Sequence, residues 1–219
     1  MQDGKIYPDA DKTKVVADWP VPKTKKQLKS FVGLTNYFRA HIADYAEKAF
    51  PLTELLGRYK PEKLAWGAEQ QAAFETLKKA LISRPVLHPP DKNKDWIVMA
   101  DASATTISGI LLQEGDNPDD TPLVVSYASR KLLPRERNYS IIERELLSIV
   151  FSLAKFRHFV YGRRITVKSD HRALLFLNSV VKTNPRLARW GLQIQEYDID
   201  LKFVRGKNQL ADAFTRLED

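Results

Sequence analysis

Apolar positions along this chain follow two rhythms in succession. In the first 82 residues they recur at helical spacing. KTKKQLKSFVGLTNYFRAHI places Leu28, Phe31, Val32 and Thr35 on one face, and Thr24 with Gln27 three residues on makes a capping-box pattern. A second helical run covers residues 45–56, with Pro51 as a break. A third covers 68–82, with Ala72, Phe74, Leu77, Ala80 and Leu81 as its apolar positions. Residues 1–22 read as an extended segment ending in Trp19-Pro20-Val21-Pro22. From residue 91 the runs shorten. WIVMAD, ISGILLQ and LVVSYAS predict an antiparallel meander, with a polar turn at 116–120. A long helix is predicted over 139–161, stopping at Gly162, with the stripe Ile142, Leu146, Ile149, Leu153, Phe156 and Val160. RITVKS is a fourth strand. Helices at 171–178 and 185–196, the strand IDLKFV and a helix from about residue 208 complete the order βββαβααβα. A strand–helix–strand step implies a parallel pair with a right-handed crossover, hence a mixed α/β sheet with helices packed on it. The proline- and charge-rich stretch 83–95 marks the boundary between a helical module (23–90) and the α/β domain (91–219).

Four carboxylates break these patterns. Asp101 and Asp170 end apolar strands, Glu145 shares a helix face with Ile142 and Ile149, and Asp212 lies between alanines near the C-terminus. Glutamates in helices normally face outward, as the neighbouring Glu143 and Arg144 are expected to do. A buried unpaired carboxylate costs several kcal/mol, so four such placements suggest a shared partner. Oxygen-only ligands suit magnesium, with manganese as a substitute. Two such ions would support phosphodiester hydrolysis. Each acid alone also has an ordinary reading: Asp170 pairing with Arg172, Asp212 serving a helix N-terminus, Glu145 on a rim.

Composition narrows the classes without naming one. With 43% hydrophobic and 28% charged residues, the 219-residue chain can bury a sizeable core. The absence of cysteine excludes disulfides and thiolate metal sites. No apolar run approaches the ~18 residues of a membrane span, and the N-terminus lacks an apolar signal core. A net charge of +8 favours a polyanionic partner.

The motifs LKSFVGLTNYFRAHI, PLTELL, LAWGAEQQAAFETLKKALISRPVL, MADAS, SYASRKLLPRERNYSIIERELLSIVFSLAKFRHFVYGR, TVKSDHRAL, RLARW, QEYDIDLKF and ADAFTR occur in that order. Together they resemble the C-terminal part of the Pol polyprotein of gypsy-class LTR retrotransposons, the reverse transcriptase thumb followed by ribonuclease H. The resemblance extends over nearly the whole chain. It implies the ribonuclease H fold, a five-stranded mixed sheet with flanking helices. It implies a thumb-like module at 23–90 and the end of a palm at 1–22. It implies hydrolysis of the RNA strand of RNA–DNA hybrids, leaving a 3′-hydroxyl, with two Mg2+ held by Asp101, Glu145, Asp170 and Asp212. The family match and the helical phase both favour Glu145 over Glu143. The paired aspartates of a polymerase site are absent, so DNA synthesis is not expected. The chain then reads as a processed fragment or as a host gene derived from an element. It departs from the family in having only Gly109 where a glycine-rich segment is usual. The loop RGKNQLAD also lacks the histidine that many relatives carry there. His171, after Asp170, is an auxiliary candidate that would either orient the site or pack.

The expected partner is an RNA–DNA hybrid held through its backbone and 2′-hydroxyls. Candidate contacts are Arg130, Lys131, Asn138 and Tyr139 near the site, with Lys25 and Lys29 on the thumb-like helix. Asn138 has the alternative role of helix N-cap. Arg186, Arg189 and Trp190 are further candidates, Trp190 with a core position as its alternative. A polymerase-containing chain or a second copy of this chain is a candidate partner, no membrane is expected, and the setting is intracellular, a cytoplasmic virus-like particle or the nucleus. Two other readings stand beside the enzyme: a domesticated module that binds without cutting, and a structural subunit of a reverse transcriptase.

Overall fold

The short apolar runs of the second half pair into one sheet. A computed structural model describes residues 4–57, 59–83, 85–115, 117, 120–170 and 184–204. Its strands are β1 (Trp96–Ala102), β2 (Thr106–Gln113), β3 (Leu123–Lys131), β4 (Arg164–Ser169) and β5 (Asp198–Phe203). They lie in the order β3-β2-β1-β4-β5. The first three form the expected antiparallel meander; β4 runs parallel to β1, and β5 parallel to β4. The fold is therefore the five-stranded mixed sheet of the ribonuclease H-like class. Central β1 is buried from Trp96 through Ala100, which is why it reads as a continuous apolar run instead of an alternating one.

Helix α6 (Ile141–Val160) fills the crossover between β3 and β4. It starts two residues later than the predicted 139. Ser140 is its N-cap: the Glu143 amide donates to Ser140 Oγ at 3.3 Å, and the Ser140 amide donates to Glu143 Oε2 at 2.9 Å. Asn138 is thus not the cap; it ends the 3₁₀ turn Glu136–Asn138. Leu146, Ile149, Leu153, Phe156 and Val160 are buried against Val98, Ala100, Leu111 and Val167, with Ile142 half-buried beside them. Helix α7 (Pro185–Ile194), capped by Asn184, adds Leu187 and Ile194 to the same core.

The helical module has five helices among the described residues: α1 (Ala10–Ala17), α2 (Lys25–Tyr37), α3 (Tyr45–Lys48), α4 (Phe50–Glu54) and α5 (Ala68–Ile82). Leu28, Phe31, Leu52, Phe74, Leu77 and Leu81 form its core. Helix α1 corrects the extended reading of residues 1–22. Asp9 caps it, but only Thr13 and Val16 are buried, too short a stripe to register as a period. Thr24 caps α2 as expected, while Gln27 Oε1 accepts from the Lys23 amide instead of closing a box on Thr24. The helical run over 45–56 is broken at this point as expected: α3 ends at Lys48 and α4 starts at Phe50, with Pro51 in the first turn of α4, where its missing N–H costs nothing. In α5 it is Ala73, not Ala72, that enters the core.

The module packs on the sheet face opposite α6. Ile97, Met99, Ile110, Leu112, Val124 and Tyr127 of that face are joined by Leu87, Ile6 and Ala43. Arg39 donates to the Ser129 carbonyl, and the Ala46 amide donates to Ser129 Oγ at 2.9 Å. Stretch 83–95, read from sequence as a boundary, is tied down by a bridge between Ile6 and Leu87. The expected helices at 171–178 and beyond 208 lie outside the described residues.

Sheet and α6 come into tight contact at Gly109. A Cβ built there would collide with Ser152 Oγ and lie 2.7 Å from Ser152 Cβ. The single glycine kept in this segment is thus the one that packing requires. Gly109→Ala is expected to destabilise the chain by about 1–3 kcal/mol in denaturant unfolding. Combined with Ser152→Gly it should lose less than the sum of the two single changes.

Candidate metal centre and nucleic-acid surface

Parallel strands β1 and β4 deliver their C-terminal ends side by side, a common origin of sites in α/β sheets. Asp101 lies at the end of β1, Asp170 directly follows β4, and Glu145 stands one turn into α6. Each offers a carboxylate oxygen, and the three oxygens lie within 4.8 Å of one another. Glu145 is 6% exposed; Asp101 and Asp170 are half-buried.

Such a cluster is electrostatically unfavourable by itself. Two unit charges 4 Å apart repel by about 4 kcal/mol at an effective dielectric of ~20. Burial, with Asp101 and Asp170 nearby, pushes the Glu145 carboxyl up to about 8, although Arg144 opposes the shift. Burial also raises Asp101; the Ala102 amide opposes this, and the charges of Asp170, Asp44 and Glu47 add to it. Glu145 Oε2 is buried with no hydrogen-bond partner among the described residues. A converging set of oxygen donors with one orphaned oxygen fits a hard divalent cation such as Mg2+ or Mn2+.

Glu143 is built differently. Contrary to the outward placement read from sequence, it and Arg144 both turn onto the protein. Glu143 Oε2 accepts from the Ser140 amide and hydroxyl, and Oε1 accepts from Asn184 at 3.1 Å and Arg186 at 2.7 Å. Burial alone would raise its carboxyl, but these hydrogen bonds and the Arg186 charge hold it below the usual range. Arg144 donates to the Ser103 carbonyl at 2.9 Å. Saturated Glu143 and orphaned Glu145 are therefore physically distinct, with only the latter in the cluster. Asp212 and His171 lie outside the described residues.

The basic candidates divide. Arg130 is fastened to Glu136 by two hydrogen bonds, at 2.6 and 3.1 Å. Lys131, which belongs to β3 itself, reaches Glu54 at 2.8 Å. Lys25 is buried and donates to the Lys60 carbonyl at 2.6 Å. These three side chains are engaged in internal contacts. Lys29 and Asn138 are exposed. Tyr139 is half-buried, with the Arg186 guanidinium 4.1 Å from its ring and Trp190 at 5.9 Å. Trp190 also packs on the core. A groove beside these rings is lined by Arg135 and Arg189. Arg135 was missed by sequence reasoning; no local period distinguishes it in LPRERN. Tyr37, 69% exposed, was also missed. It shares the outer face of α2 with Lys26, Lys29 and Gly33, and its phase opposite Leu28 and Phe31 could have revealed it.

The mixed sheet β3-β2-β1-β4-β5, with three acids gathered at one end, has the ribonuclease H-like architecture, and comparisons with known proteins agree. Residues 66–167 match the family described as the RNase H-like domain found in reverse transcriptase. The chain is 36% identical over 217 residues to the retrovirus-related Pol polyprotein from transposon 297 of Drosophila melanogaster, covering 97% of this chain and 20% of that protein. It is 34% identical over 209 residues to the transposon Tf2-3 polyprotein of Schizosaccharomyces pombe, covering 93% of this chain and 15% of that protein. Among solved structures, foamy viral protease-reverse transcriptase in complex with RNA/DNA hybrid superposes with a TM-score of 0.74 at 20% identity, over 90% of this chain and 27% of that one. The same enzyme with dsDNA gives 0.73 at 21%, over 90% and 42%. At such identity the likeness shows the fold alone. Residues 66–167 thus form an RNase H-like domain of the reverse-transcriptase kind, and the chain's homologues are retrotransposon Pol polyproteins, of whose length it spans about a fifth or less. Among the described residues, no helix is long and apolar enough to cross a membrane.

The raised Glu145 carboxyl has a pH consequence. Its folded value of about 8 lies above its ordinary 4.5, so the folded state holds a proton that the unfolded state has released between those values. Stability without metal therefore falls as pH rises from about 4.5 to 8, and the full penalty is present above 8. The melting temperature of Glu145→Gln relative to the wild-type chain should rise across pH 5–8 in EDTA, and the rise should shrink with Mg2+.

Proposed function

We propose that this chain is a divalent-cation-dependent ribonuclease H, cutting the RNA strand of RNA–DNA hybrids as part of a retrotransposon reverse transcriptase. The convergence of Asp101, Glu145 and Asp170, with Glu145 Oε2 unpaired among the described residues, carries this reading. Asp212 is assigned as the fourth ligand from the family resemblance. Bound Mg2+ would supply Lewis-acid stabilisation of the developing phosphoryl charge and an acidified water. The protein contributes ligands preset by strand ends and by α6, in a partly buried setting that strengthens their hold on a cation.

Substrate contacts are assigned to two surfaces. One is the outer face of α2, where Lys26 and Lys29 meet phosphates and exposed Tyr37, beside Gly33, lies against the duplex. The other is the groove of Arg135, Tyr139 and Arg189. Arg130 and Lys131 brace the end of β3 through their pairs with Glu136 and Glu54, and Lys25 braces α2 through the Lys60 carbonyl. A solved relative's complex with RNA/DNA hybrid is consistent with the proposed substrate class. A polymerase-containing chain is the proposed partner for the remainder of the Pol activity.

An end-labelled hybrid incubated with the chain should be cut in its RNA strand with Mg2+, and left intact with EDTA or with Asp170→Asn. Retained binding without cleavage in either Mg2+ or Mn2+ would point instead to a non-cleaving binding module. Arg135→Ala with Arg189→Ala should weaken hybrid binding regardless of sequence. It should lower the slope of log K against log salt by about 2, as read by fluorescence anisotropy.

A further inference from the structure

Arg144 precedes Glu145 in the first turns of α6, yet it does not extend into solvent. Its Nη1 donates to the Ser103 carbonyl at 2.9 Å, and its Nε is buried without a partner among the described residues. Turning a guanidinium inward and leaving one of its donors unsatisfied is unfavourable, so the contact it makes has structural weight. Ser103 lies two residues after Asp101 and opens the turn between β1 and β2. That turn is stiff: Ser103 Oγ accepts from the amides of Thr105 and Thr106 at 3.2 and 3.0 Å, and the Ser103 amide donates to the Thr106 carbonyl at 2.9 Å. The Leu132 amide, donating to the Thr105 carbonyl at 2.8 Å, ties the turn to the end of β3.

We propose that Arg144 is a positioning residue for the acid cluster. By fastening the turn after β1 to the start of α6, it sets the spacing of Asp101 and Glu145. This rests on the cation-site reading of that cluster. Two effects of Arg144 oppose each other. As a nearby cation it disfavours a bound metal ion; as a tether it holds two ligands at the separation a metal ion needs. The proposal is that the tether dominates.

The test uses the full chain. Mg2+ and Mn2+ affinity is read by isothermal titration, and amide hydrogen exchange at 103–106 is read on metal-free protein. Arg144→Ala should bind both cations about tenfold more weakly and exchange faster at this turn. Arg144→Lys, which keeps the charge and an ammonium able to donate to the Ser103 carbonyl, should recover most of the affinity. Arg144→Met, close in length, replaces the alanine variant if that one does not fold. Unchanged or tighter cation binding in the alanine or methionine variant overturns the proposal, as does unchanged exchange at the turn. A wild-type chain that binds neither cation would overturn the cation reading of the cluster, and the exchange measurement would then decide the tether alone.

Discussion

Mutual repulsion among three carboxylates at one end of the sheet is the constraint on which the rest depends. Asp101, Glu145 and Asp170 come within ligand distance of one another, and Glu145 is driven to retain its proton toward pH 8. A fold that only minimised its own energy would separate these groups or pair each with a cation, as it does for Glu136 with Arg130 and Glu143 with Arg186. Among the described residues, the contrast between these paired acids and the unpaired Glu145 is the physical ground for the proposed cation site.

The surrounding architecture holds that arrangement in place. The parallel pairing of β1 with β4 brings two strand ends together, and the close seam at Gly109 and Ser152 fixes α6 against the sheet. The helical module covers the opposite face through Ile6, Ala43 and Leu87, and its acids Asp44 and Glu47 are near enough to influence Asp101. Module and sheet therefore share a core, and the electrostatics of the cluster extend across both.

Much of this was readable in the sequence because it follows local periodicity. The α6 stripe and the strand runs are set by neighbours a few residues away, and Glu145 stood out as an acid in an apolar phase. What escaped was set by distant partners. Lys131 finds Glu54 across 77 positions and Lys25 finds the Lys60 carbonyl across 35, so residues expected to face nucleic acid are held by the protein itself. Glu143 and Arg144 were expected to face solvent because a helical wheel does not show Asn184, Arg186 or the Ser103 carbonyl. Helix α1 was missed because it buries only two side chains and depends on α5 for its packing.

The central claim is that the acid cluster exists to hold a divalent cation. Crystals soaked in Mn2+ and measured at the manganese absorption edge test it most directly. The account predicts an anomalous peak bounded by Asp101, Glu145 and Asp170, with Glu145 Oε2 among its ligands. Density showing these oxygens without such a peak, and Glu145 hydrogen-bonded as a neutral acid to a protein group, would contradict it.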